Sequence, residues 1–124
     1  MSELERCRPW IEDALEYNGG LYSFDDIAAD ILANKMQLWP APNGCLVTEI
    51  LDFPRKRILH VLLGGGELEQ LAEMHNDVIV WAKAQGCDGA TITGRPGWER
   101  AFRHIGWTPM HRTLQLDFDA WAVS

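Results

Sequence analysis

The sequence predicts an α+β fold: a mixed, mostly antiparallel sheet flanked by helices, in the order α-α-β-β-β-α-β-α-β. Three observations predict it. Two β-rich runs, GCLVTEIL and RILHVLL, are joined by DFPRK as a hairpin. A long apolar stripe at helical spacing begins directly after three glycines. A short buried strand, GATIT, then precedes a second amphipathic helix and a last β-rich run.

Each element follows from local chemistry. Pro9 opens a helix to about Tyr17, with Trp10, Ala14 and Tyr17 near helical spacing and Gly19–Gly20 ending it. Ser23 caps a second helix, about Phe24–Ala33, with Asp26 three residues on as in a capping box. Ile27, Ile31 and Phe24 are its buried residues. KMQLWPAP is a short strand stopped by Pro40 and Pro42. A hairpin turn centred between Pro54 and Arg55 places Glu49 opposite His60 on one sheet face. The second hairpin strand runs into the turn Gly64-Gly65-Gly66. A helix over Glu67–Gln85 follows, its stripe formed by Leu68, Leu71, His75, Val78 and Ala82, with Trp81 beside it and Gly86 as its stop. Trp98, Ala101, Phe102 and Ile105 fall at i, i+3, i+4 and i+7, the buried face of a helix over Trp98–Ile105. Gly106 supplies its left-handed end, and Trp107 returns to the core. HRTLQLDF, residues 111–118, is expected as a final strand.

Composition bounds the function. The 124 residues form one domain, 1–124, large enough to bury a core without disulfides or metals. No apolar run approaches the roughly 18 residues a membrane span needs, and MSELERCRPW lacks the apolar region of a secretory signal. Cys7, Cys45 and Cys87 are odd in number and far apart, without a CxxC pair. That is the pattern of reduced thiols, so the expected compartment is the cytoplasm and no metal is expected. A net charge of −7 argues against nucleic-acid binding. The charge is unevenly placed: residues 1–34 hold eight of the 18 acidic groups, whereas residues 55–57 and 95–112 hold seven of the 11 basic ones. An anionic ligand belongs on that basic back.

This order, with glycines between the hairpin and the long helix, resembles the GNAT N-acyltransferase superfamily over about Lys35 to Phe118. MQLWP (36–40), VTEI (47–50) and GRPGW (94–98) are most similar to stretches in short GNAT-like proteins of tailed phages and prophages. The resemblance implies acetyl-CoA as cofactor and an amine-bearing acceptor. It also implies that Gly64, Gly65 and Gly66 hold the pyrophosphate, with the backbone of Leu62 and Leu63 beside the acetyl-pantetheine arm. Backbone N–H groups at a helix N-terminus are natural anion donors. Two departures stand out. Glu67 and Glu69 follow the glycines, where the superfamily carries small or basic residues. Phe102 stands four residues before Gly106, where active members commonly carry a tyrosine that protonates the departing thiolate; a phenyl ring donates no proton.

Other candidates have two readings each. Glu49 and His60 are a general-base pair for an attacking amine, or a cross-strand polar pair on a half-exposed sheet. Arg95, between strand and helix, is a bidentate anion ligand or a solvated loop arginine. His75 reads as a satisfied core histidine, Ser23 as a cap, and Cys45 and Cys87 as inert thiols. Two functions stay open. One is an acyl-CoA-dependent N-acyltransferase with reduced or lost activity; the other is a non-catalytic GNAT-fold module acting by protein contact in a virion or its assembly. Six tryptophans suit such an interface.

Overall fold

The computed structural model describes residues 2–94 and 96–119. The elements are α1 (Glu3–Leu15), α2 (Phe24–Leu32), β1 (Met36–Ala41), β2 (Gly44–Asp52), β3 (Arg57–Gly66), α3 (Leu68–Ala84), β4 (Gly89–Ile92) and α4 (Pro96–Arg103). The sheet order is β1-β2-β3-β4. β1–β2 and β2–β3 are antiparallel hairpins, and β3–β4 is parallel. Parallel neighbours need a crossover, and α3 provides it.

Two helical layers sandwich the sheet. On one face Cys7, Ile11, Phe24 and Ile27 of α1 and α2 pack on Met36, Cys45, Val47 and Leu63. On the other, Leu71, Val78, Ala82, Trp98 and Phe102 of α3 and α4 pack on Ala41, Leu46, Leu59 and Val61. Alternation along a strand explains why Cys45 and Val47 face one layer and Leu46 the other. β3 breaks that rule, because Leu59 and Val61 face α3 while Leu63 faces α1. The register shows why: Thr48 lies opposite Val61 and Val47 opposite Leu63, so Leu62 is an extra residue without a partner on β2. This is a β-bulge, and it swaps the faces of the chain beyond it.

Several boundaries differ from expectation. α1 begins at Glu3, not Pro9, because Ser2 Oγ accepts the Glu5 N–H at 3.1 Å and Glu3 and Glu5 suit the positive helix end. Pro9 therefore lies inside α1, where its missing N–H forfeits one bond. The buried stripe Cys7, Ile11 and Ala14 keeps the helix intact across it. β1 continues through Pro40, opposite Cys45. As an edge strand it can leave a donor unmade. α4 begins two residues early, at Pro96, and ends at Arg103. Its exit is as expected: Gly106 has φ +102°, and Trp107 N–H donates to Phe102 O at 3.2 Å.

The final strand does not form. Residues 111–119 carry no strand, and Leu114 is 90% exposed. The Gln115 side-chain amide instead donates to Gly19 O at 2.9 Å, tying the segment to the α1–α2 loop. The alternation Thr-Leu-Gln-Leu-Asp is a strand pattern, but a strand needs an edge to pair with. Among the described residues nothing pairs with the outer edge of β4.

Candidate functional site

The hairpin turn spans Phe53–Lys56, closed by Phe53 N–H donating to Lys56 O at 2.9 Å. Asp52 then faces Arg57, and Glu49 faces His60. Directly opposed residues share a face; here it is the α1/α2 face, since Cys45, Val47 and Glu49 alternate along β2. Burial pushes the Glu49 carboxyl above its ordinary value, and the charge of Asp30 adds to that. Tyr22 belongs to the same surroundings: burial raises its hydroxyl, and Glu49 and Asp30 raise it further.

His60 is held differently from the expectation of a carboxylate-bound base. Its Nδ1 lies 2.7 Å from Thr91 Oγ1 and its Nε2 lies 3.2 Å from Thr93 Oγ1. Among the described residues its ring makes no hydrogen bond to Glu49. Burial pushes its pKa down, so the ring is neutral at pH 7. The parallel β4 brings the two hydroxyls alongside the ring, as His60 pairs with Thr91 across the ladder.

The glycines are not a loop. Gly64, Gly65 and Gly66 are the last residues of β3, opposite Leu46, Cys45 and Gly44. Each is small because something leans on it. A Cβ on Gly64 would meet the Trp98 ring, and one on Gly65 would come within 2.8 Å of Trp10 O. At Gly66, with φ +96°, it would strike Asn43 O. These glycines admit packing from α4, α1 and the β1–β2 turn, a reason that local sequence could not supply.

Two backbone features stand out in this region. α3 has no side-chain cap. Its first-turn amides, at Leu68, Glu69 and Gln70, are thus donors suited to a phosphate. Glu67 N–H is already donated to Asn43 O at 2.9 Å. Leu62, bulged out of the ladder, has no residue opposite it on β2. Against this, Glu67 and Glu69 stand at the same helix end and oppose an anion. Glu67 is partly engaged, accepting from Gln70 Nε2 at 2.9 Å.

Phe102 is core. It stacks on Trp98 at 5.6 Å and meets Trp107 and His75 edge-on. His75 Nδ1 bonds Ala72 O at 2.8 Å, the satisfied core histidine expected. Ser23 accepts from Asp26 N–H and Asp26 accepts from Ser23 N–H, a complete capping box. Burial raises the Cys45 and Cys87 thiols away from reactivity. Arg95 lies outside the described residues. On the basic back, Arg100, Arg103, His104 and Glu99 line an open depression on α4.

Sequence reasoning missed Tyr22, Asp30, Thr91, Thr93 and the bulge at Leu62. One signal existed: in GATIT the apolar Ala90 and Ile92 alternate with Thr91 and Thr93, a half-buried pattern and not a fully buried one. Among the described residues no group of three His, Cys, Asp or Glu could hold a metal, and no helix is long and apolar enough to cross a membrane.

No family model matches the chain, and no curated protein matches it. Solved structures do. A probable acetyltransferase superposes with TM-score 0.67 at 11% identity, over 93% of this chain and 93% of that one. An acetyltransferase of Trypanosoma brucei gives TM-score 0.59 at 15% identity, over 84% of this chain and 89% of its own. A transcriptional regulator from Bacillus halodurans gives 0.53 at 17%, over 77% and 72%. At such identities the likeness is one of fold. What is shared is the α+β architecture, a four-stranded sheet flanked by helices.

Proposed function

We propose that this protein is an acyl-CoA-dependent N-acyltransferase of low turnover, acting on an amine-bearing acceptor. The observation that carries the reading is the Glu49–His60 pair, opposed across β2 and β3. It lies on the same sheet face as Leu62, two residues beyond His60 and bulged out of the ladder. A base beside an acyl-arm site is the arrangement that aminolysis of a thioester needs.

Acetyl-CoA, when bound, supplies an acetyl group activated as a thioester. The α3 first-turn amides beyond Gly64–Gly66 would hold its phosphates, and the backbone at Leu62 and Leu63 its arm. Arg95 is a further candidate for the phosphates. Glu49 and Asp30 together attract a cationic amine to the α1/α2 face, where the ammonium gives one proton to water and becomes the neutral amine that attacks. His60, neutral because it is buried, carries the lone pair that takes the proton from the attacking nitrogen. No side chain at Phe102 returns a proton to the leaving thiolate, which limits the rate.

A second reading is favoured by two observations on one path: Phe102 in the acid position, and Glu67 and Glu69 at the phosphate end. In that reading the chain is a non-catalytic GNAT-fold module that works through protein contact. A phage or prophage origin, suggested by residues 36–40, 47–50 and 94–98, suits either, as does a cytoplasmic location.

Thermal unfolding with and without acetyl-CoA separates them. A ligand that binds only the native state stabilises it, by about 2.7 kcal/mol at a hundredfold excess over Kd. A raised midpoint, with CoA release on adding a primary amine, supports the acyltransferase. No shift at millimolar acetyl-CoA overturns it and leaves the module.

A further inference from the structure

Both ring nitrogens of His60 are engaged by hydroxyls of one strand and its extension. Thr91 and Thr93 are two residues apart, so both project to the sheet face that carries His60. A neutral imidazole has one N–H and one lone pair. One threonine must therefore accept from the ring while the other donates to it. The Thr91 contact, at 2.7 Å, is half-buried; the Thr93 contact, at 3.2 Å, is exposed. A ligand approaching Nε2 from solvent thus meets the Thr93 hydroxyl.

We infer that Thr91 is a positioning residue that accepts from Nδ1–H and keeps the lone pair on Nε2, and that Thr93 is a catalytic relay passing a proton from the amine to Nε2. This rests on the acyltransfer reading above. As the amine nitrogen bonds to the acyl carbon, its N–H bond breaks and that proton joins Thr93 Oγ1. The hydroxyl's own proton moves to Nε2, so Thr93 ends unchanged and His60 ends as imidazolium. The electron pair of the broken carbon–sulfur bond leaves with the thiol sulfur. The doubly protonated ring then finds an acceptor at each end, so one geometry serves both states. Among the described residues, the charged or titratable groups around the ring are Glu49 opposite it on β2, with Asp30 of α2 and Tyr22 beside Glu49; β4 and its extension contribute the two neutral hydroxyls.

The test begins with nitrogen-resolved NMR of the histidine rings in the whole chain, His60 being assigned by its loss in His60→Gln. The expected result is a protonated Nδ1 and a bare Nε2. Thr91→Val, close in shape, should shift the tautomer towards Nε2–H, and Thr91→Ser should restore it. A wild-type ring protonated at Nε2, or a tautomer indifferent to Thr91→Val, overturns the positioning role. For the relay, Thr93→Val should lower kcat roughly 10²-fold with KM for the amine unchanged, and Thr93→Ser should recover it. An unchanged kcat overturns the relay. Absence of CoA release by the wild type overturns the relay along with the acyltransfer reading, while the NMR result still decides Thr91 separately.

Discussion

The six-membered ring of Trp98 fills the space that a Cβ on Gly64 would need, so an indole of α4 and a glycine of β3 form one packing unit. The Leu46 side chain closes the same space, 2.7 Å from that position. Gly64→Ala must therefore move a buried ring or the strand, and overpacking of this kind costs about 1–3 kcal/mol. In a Trp98→Ala background the added methyl has room, and the same change should cost less. A double-mutant cycle by denaturant unfolding reads the difference, expected at about 0.5–3 kcal/mol. Additive effects would mean that the ring and the glycine do not meet.

Glu49 should make the native state less stable at neutral pH than at acid pH. Its folded pKa is raised from the ordinary 4.5 by burial and by Asp30. Between those two values the native state holds a proton that the unfolded chain has lost, so stability falls as pH rises through the window. Glu49→Gln removes the effect. Its midpoint should exceed the wild type's at pH 7 and match it near pH 4, by thermal melts across that range. His60 works the other way. Its folded pKa is lowered, so its contribution is intact above about 6.5 and lost as pH falls below that value.

Phe102→Tyr should place a hydroxyl in the acid position of the proposed site. The ring is 3% exposed and bounded by Trp98, Trp107 and His75, so the new O–H needs a partner or water there. The variant should fold with a loss of about 1–3 kcal/mol, the range for a buried polar group with incomplete bonding. If only proton donation limits the rate, CoA release should rise by up to roughly 10²–10⁴-fold. Unchanged release in a folded variant that binds acetyl-CoA would show that the thiolate needs no internal acid.

Leu114→Ser should leave stability within about 0.5 kcal/mol of the wild type, as for an exposed surface position. The side chain is 90% exposed, and the segment around it is tied down through Gln115. A loss of about 2 kcal/mol or more in a denaturant melt would mean that residues 111–118 pack as a strand after all.

The sequence by itself determined the order of α1 through α4, the hairpin register that opposes Glu49 and His60, the buried stripe Leu71, Val78 and Ala82, and the left-handed residue Gly106 after α4. Each of these rests on chemistry within a few residues: helical periodicity, a short turn, a cap, a glycine able to take positive φ. Only the tertiary structure decided that Gly64–Gly66 are ladder residues beneath Trp98 and Trp10, that Leu62 bulges, and that Thr91 and Thr93, not Glu49, hold the His60 ring. It likewise left the alternating Thr113–Asp117 unpaired, although its pattern alone reads as strand. In every such case the deciding partner lies far along the chain. A residue's pattern states what it can do, but a ladder edge, an overlying ring or a facing hydroxyl is supplied by elements that only folding brings alongside.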